Sequence, residues 1–181
     1  MSSPIQISQP GAAAPTFAQP FDMLEACHQR LHRTLALLDK LRGHLPAHGA
    51  DQQAQQAARD VMRYFDQAAP QHHHDEELHV FPPLAVHGSP DTVALVARLR
   101  EDHLQMEARW PAARAVLAAI ADGSLGSLSA AQSAALDAFA GLYGAHIEAE
   151  EQLAYPLALA MLDQAAVAAM GQEMARRRGV G

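Results

Sequence analysis

HHHDEELHVFP at residues 72–82 returns as HIEAEEQLAYP at residues 146–156. Both stretches read His, three residues, Glu-Glu, three residues, an aromatic residue and Pro. A histidine precedes each copy at nearly the same remove: His28 stands 44 positions before His72, and His103 stands 43 before His146. Self-similarity of this kind marks one supersecondary unit used twice. Two helical hairpins of the same plan are the simplest such unit.

Working outward from the motif, apolar residues keep helical spacing on both sides of it. Leu24, His28, Leu31, Leu35, Leu38 and Leu45 follow steps of three and four or their sum, which predicts an amphipathic helix over about residues 21–44. Gly43, Pro46 and Gly49 are expected to break it, and Asp51 to cap the next helix. The second stripe runs Ala54, Ala58, Val61, Phe65, Ala68, His72, Glu76, with Pro70 expected to bend it and Pro82-Pro83 and Gly88 to end it. Ser89-Pro90 reads as a cap followed by proline at the first helical position. A third stripe carries Val96, Leu99, His103, Met106, Trp110, Ala113, Leu117 and Ile120, with a kink expected at Pro111. Ser129 with Gln132 forms a capping-box signature for the fourth, which runs Leu136, Phe139, Tyr143, His146, Glu150, Leu153, Leu157. The expected fold is all-α: an up-down-up-down four-helix bundle over residues 21–162, with a flexible tail at 1–20 and a short extra C-terminal helix and tail at 163–181.

Composition agrees with that class and removes others. The 181 residues suffice for one domain with a sizeable core, and 49% hydrophobic against 5% aromatic residues favours helices over strands. A net charge of −7 argues against nucleic-acid or anionic-membrane partners. Arg176-Arg177-Arg178, the only basic cluster, is expected to complement a helix dipole. Cys27 is the sole cysteine, so an internal disulfide and a thiolate zinc site are both excluded. With neither a secretory signal nor an apolar run of membrane-spanning length, a cytoplasmic location is expected.

Residues four apart lie on one helix face, so His72 with Glu76, and His146 with Glu150, each aim a nitrogen and a carboxylate at the bundle interior. With His28 and His103 the centre receives four histidines and two glutamates. Two buried carboxylates without a cation would cost several kcal/mol each unless protonated. Six nitrogen and oxygen donors exceed what one tetrahedral zinc uses, and a sulfur-free set suits iron or manganese. Two metals sharing Glu76 and Glu150 as bridges, each with two histidines, account for all six.

The doubled H-x3-E-E-x3-[FY]-P, with the histidines of EACHQRLHR and REDHLQME, resembles the haemerythrin-like proteins, or HHE cation-binding domain, over roughly residues 20–160. The resemblance implies dinuclear non-haem iron, carboxylate- and oxo- or hydroxo-bridged, on His28, His72, Glu76, His103, His146 and Glu150. It also implies a small ligand, oxygen, nitric oxide or peroxide, in sensing, storage or stress protection. Oxygen-carrying members have a fifth histidine where this chain has Glu107, and an aspartate where it has Glu151. Four histidines with two glutamates resemble instead the relatives linked to repair of iron-sulfur clusters. The cysteine-bearing N-terminal domain often found there has no counterpart in this sequence, so the repair role is not carried over. An enzyme acting on peroxide or nitric oxide, an iron donor for cluster repair, and a structural module with one stabilising metal stay as alternatives. Nothing names a protein partner.

The remaining candidates have plainer expectations. His44, His48, His73, His74, His79 and His87 are expected on the solvated surface. Glu77 and Glu151, one position off the stripes, are expected as acceptors behind the ligands or as exposed charges. His32 and Glu107 lie one turn beyond a proposed ligand, and either could ligate or orient. Tyr64, Tyr143, Tyr155 and Trp110 are expected in the core, and Cys27 as a small buried side chain.

Overall fold

The computed structural model describes residues 15–180, and every regular element among them is helical. The first rod is α1, Pro20–His48. The second comprises α2, Gln52–Arg63, α3, Ala69–Asp75, and α4, Phe81–His87. It is interrupted by π-helical turns at Tyr64–Ala68 and Glu76–Val80. The third rod is α5, Pro90–Ala121. The fourth joins α6, Ala130–Ala140, α7, Tyr143–Ala149, a π turn at Glu150–Ala154, and α8, Tyr155–Met161. A last helix, α9, Gln164–Arg177, lies across α1. The architecture is the expected all-helical bundle. The part of the expected tail at residues 1–14 falls outside the described residues, while Phe17 packs against the core.

Three caps sit where the sequence places them. The side chains of Asp51, Ser89 and Ser129 accept from the backbone N–H groups of Ala54, Thr92 and Gln132, and Gln132 returns the bond to complete the box. The helix ends differ from expectation. α1 runs through Gly43 and Pro46 to stop at Gly49, whose φ of 63° is a left-handed geometry suited to glycine. A proline in the last turn costs little, because few intrahelical bonds remain beyond it. The second rod likewise passes through Pro82-Pro83 and ends at Gly88.

The π turns explain how the prolines are tolerated. In each, the i→i−5 bond is donated by the residue just before a proline: Ala69 to Tyr64, Phe81 to Glu76, Tyr155 to Glu150. Proline has no N–H to continue an α ladder and its ring crowds the carbonyl four residues back; one extra residue in the turn relieves both. That residue also rotates whatever follows. Ala69 rather than Ala68 is buried in the second rod. In the fourth, Ala154, Tyr155 and Ala158 turn inward, leaving the expected core residues Leu153 and Leu157 49% and 37% exposed.

Two apolar clusters fill the bundle. One, toward the end where Gly126 abuts Gly49 and Ala50, gathers Leu38, Leu45, Val61, Phe65, Met106, Leu117, Leu136 and Phe139 among others. The other gathers Phe21, Leu24, Val80, Phe81, Leu84, Leu99, Ala158, Met170 and Met174. Each fully buried leucine contributes about 1.5–3 kcal/mol by leaving water. Between the clusters lies a layer of buried polar side chains: His28, His72, Asp75, Glu76, His103, His146 and Glu150.

Candidate metal centre

All six residues singled out by the repeat meet in this layer. Glu76 and Glu150 are wholly buried, His28 is 1% exposed and His103, the most open of the six, 7%. Their donor atoms fall into two overlapping groups, His28-His72-Glu76-Glu150 and Glu76-His103-His146-Glu150, with all atoms of a group within 4.8 Å of one another. Both glutamates belong to both groups, as bridging residues would.

Hydrogen bonds behind the histidines fix which nitrogen faces inward. The Nδ1 atoms of His28, His103 and His146 lie 3.0, 3.1 and 3.2 Å from carboxylate oxygens of Glu151, Glu77 and Asp102. An ionised carboxylate can only accept, so each Nδ1 carries a hydrogen and Nε2 is the nitrogen whose lone pair is bare once the imidazole is neutral. Those Nε2 atoms then crowd one another and the glutamates. His103 and His146 Nε2 are 3.2 Å apart, His28 Nε2 is 3.2 Å from Glu150 Oε2, and His146 Nε2 is 3.1 Å from Glu150 Oε1. Lone pairs so close repel unless a cation lies between them. Two donors each about 2.1 Å from one ion at right angles are about 3 Å apart, which is the spacing seen.

Among the described residues, Glu76 Oε2, both oxygens of Glu150 and His72 Nδ1 are buried without a hydrogen-bond partner. Buried polar atoms are rarely left so, and carboxylate oxygens in particular call for a cation. The donor set therefore fits a pair of metal ions. Burial, reinforced by the Glu76 charge, pushes the Glu150 carboxyl up to about 8, while His72 and the other imidazoles outweigh burial at Glu76 and hold it well below the usual range. Burial lowers His72 to about 4 and also lowers His146, leaving both neutral and free to ligate. Against burial, the negative charge of the adjacent Glu150 and Glu76 carboxylates raises His28 and His103, so a cation must displace protons there.

Several residues have places the sequence did not announce. The hydroxyl of Tyr155, expected simply as core, donates to Glu76 Oε1 and lies 3.2 Å from His28 Nε2, its ring stacked on His28. Asp102 is an unanticipated partner of His146; its place beside His103 was the available signal. His73 is half-buried rather than fully solvated: its ring stacks on His103 at 4.1 Å between centroids, and burial lowers its pKa well below the ordinary value. His79 pairs with Glu173 at 2.7 Å and His44 with Asp51 at 3.0 Å. Arg177 and Arg178 hold the buried carboxylate of Asp75 at 2.7 and 2.6 Å instead of merely complementing a dipole. His32 and Glu107 are exposed and belong to neither donor group.

Residues 19–158 match the sequence profile of the Hemerythrin HHE cation binding domain. An uncharacterized protein of Haemophilus influenzae is 31% identical over 176 residues, spanning 97% of this chain and 99% of its own length. No single helix among the described residues is long and apolar enough to cross a membrane.

Proposed function

This chain belongs to the hemerythrin HHE cation-binding family, and from that premise we propose that it holds two iron ions on His28, His72, Glu76, His103, His146 and Glu150 and takes up oxygen, nitric oxide or peroxide there, in sensing, storage or stress protection. One observation carries the dinuclear assignment. Glu76 and Glu150 each appear in both donor groups, buried and with oxygens lacking a hydrogen-bond partner. Iron supplies the accessible redox couple that interaction with oxygen or nitric oxide requires, and an imidazole and carboxylate set suits it.

The protein's own residues set the terms of that chemistry. Glu151, Glu77 and Asp102 orient three imidazoles and raise their basicity, as acceptors behind metal-bound histidines do. Leu24, Phe81 and Leu99, fully buried in the cluster on one side of the layer, keep bulk water from it. Tyr155 holds its proton on Glu76, where burial keeps the phenol neutral far above the ordinary range.

The test is a visible spectrum of the iron-loaded, reduced protein, cycled between oxygen and argon. A charge-transfer absorption that appears with oxygen and disappears on its removal supports uptake without turnover. Sustained consumption of peroxide or nitric oxide with a reductant overturns that in favour of an enzyme.

A further inference from the structure

The two halves of the centre are not chemically alike. The repeat aligns Tyr155 with Phe81, and each aromatic ring stacks over one histidine at 5.5 Å, Tyr155 on His28 and Phe81 on His103. Only the first carries a hydroxyl, and that oxygen already lies against His28 Nε2 and Glu76. The His28–His72 half thus has an additional oxygen facing its donors. At the matching place the His103–His146 half has a phenyl ring that offers none.

The second difference is access. A cavity of about 600 Å³ opens between the second and third rods, and His103 alone of the six donors lines it. Its walls are largely apolar, with Phe65, Met106, Trp110, Phe139 and Tyr143, while Glu77 and Arg100, paired at 2.9 Å, lie beside His103. The His73 ring lines the same cavity, stacked on His103 and 6.3 Å from His146. At the His28 half, Glu151 and Tyr155 flank the imidazole, on Nδ1 and Nε2 respectively.

We infer that the exogenous ligand, a small uncharged molecule such as a diatomic gas, travels through this apolar cavity and is taken up at the His103–His146 half, with the ring of His73 as the lid it must pass. The inference rests on the di-iron assignment above and adds the side and the route. Apolar walls admit an uncharged molecule without a desolvation cost, and the ring of a single side chain can move aside on a fast timescale.

Trp110, the sole tryptophan, lies in the cavity wall and reports on it without any metal. Two rates are measured on each protein: quenching of Trp110 fluorescence by dissolved oxygen in the iron-free form, and association of nitric oxide with the reduced, iron-loaded form by stopped flow, with iron content checked alongside. Ala69→Phe, which places a ring in the cavity, is expected to slow both, the association by about tenfold. His73→Ala is expected to leave quenching nearly unchanged and to accelerate association several-fold, so the test survives if the first variant does not fold. Two irons per chain with association unaltered in both variants would overturn the route while leaving the di-iron assignment intact. A wild type that loads no iron pair, yet shows quenching blocked by Ala69→Phe, would overturn the assignment and with it the inferred destination.

Discussion

At the scale of single residues, what distinguishes this core is that its polar atoms are oriented before any cation arrives. Three imidazoles have their outer nitrogen held by a carboxylate, so the inner lone pair needs no reorganisation; His72, whose Nδ1 has no partner, is the exception. The cost shows at Glu150. Its folded pKa, about 8, stands above the ordinary 4.5, so it stabilises the metal-free fold below the lower value and loses that contribution as pH rises through the upper one. Metal-free Glu150→Gln cannot ionise there. It is expected to melt above the metal-free wild type at about pH 8.5 and level with it near pH 5, with metal loading impaired throughout. Scanning calorimetry at the two pH values checks this, and an equal difference at both would contradict it. Four of the six residues in the donor groups were legible because His-x3-Glu is a helical period, and His28 and His103 because they lie on apolar stripes. Tyr155 was legible as core, but not the meeting of its hydroxyl with Glu76 and His28. The places of Asp102 and His73 were not legible, because a position one step off a stripe is polar surface in a straight helix and turns toward the site only through local rotation or a crossing neighbour.

Single elements carry two devices that periodicity does not reveal. The π turns at Glu76–Val80 and Glu150–Ala154 begin at the two glutamates common to both donor groups and close at the residue before proline. The aromatic-proline ending of the motif was visible, and at Pro82-Pro83 its sense as a helix stop was the wrong one. One added residue lets each rod continue, and in the fourth it moves Tyr155 inward and Leu153 outward. The other device is α9. Asp75, 1% exposed and next to Glu76, would be an uncompensated buried charge without Arg177 and Arg178, while Glu173 ties Arg177 to His79. Replacing both arginines by methionine is expected to cost about 3 kcal/mol, the lower end for breaking a buried pair since the guanidinium groups keep contact with water. Adding Asp75→Asn should recover most of it. Urea unfolding of the metal-free proteins measures both, and a triple variant no more stable than the double one would show that packing of α9, not charge, is what the arginines supply.

For the molecule as a whole, the doubled motif is a pseudo-twofold arrangement around a shared polar layer. His28 and His103 match, as do Glu151 and Glu77 behind them, and each copy supplies one carboxylate common to both donor groups. The bundle was readable from four apolar stripes and three caps, since burying one stripe per rod admits few other arrangements. Its asymmetry was not, because Tyr155 against Phe81 is a conservative difference in sequence and acquires meaning only when both rings stand over matching histidines. Whether the two copies jointly build one two-metal site is decided by anaerobic iron titration of the metal-free protein, with bound iron counted by mass spectrometry after desalting. About two irons per chain are expected for the wild type, and none retained when Glu76 and Glu150 are both replaced by alanine. A single ion per chain, or loading undiminished in the double variant, would contradict it.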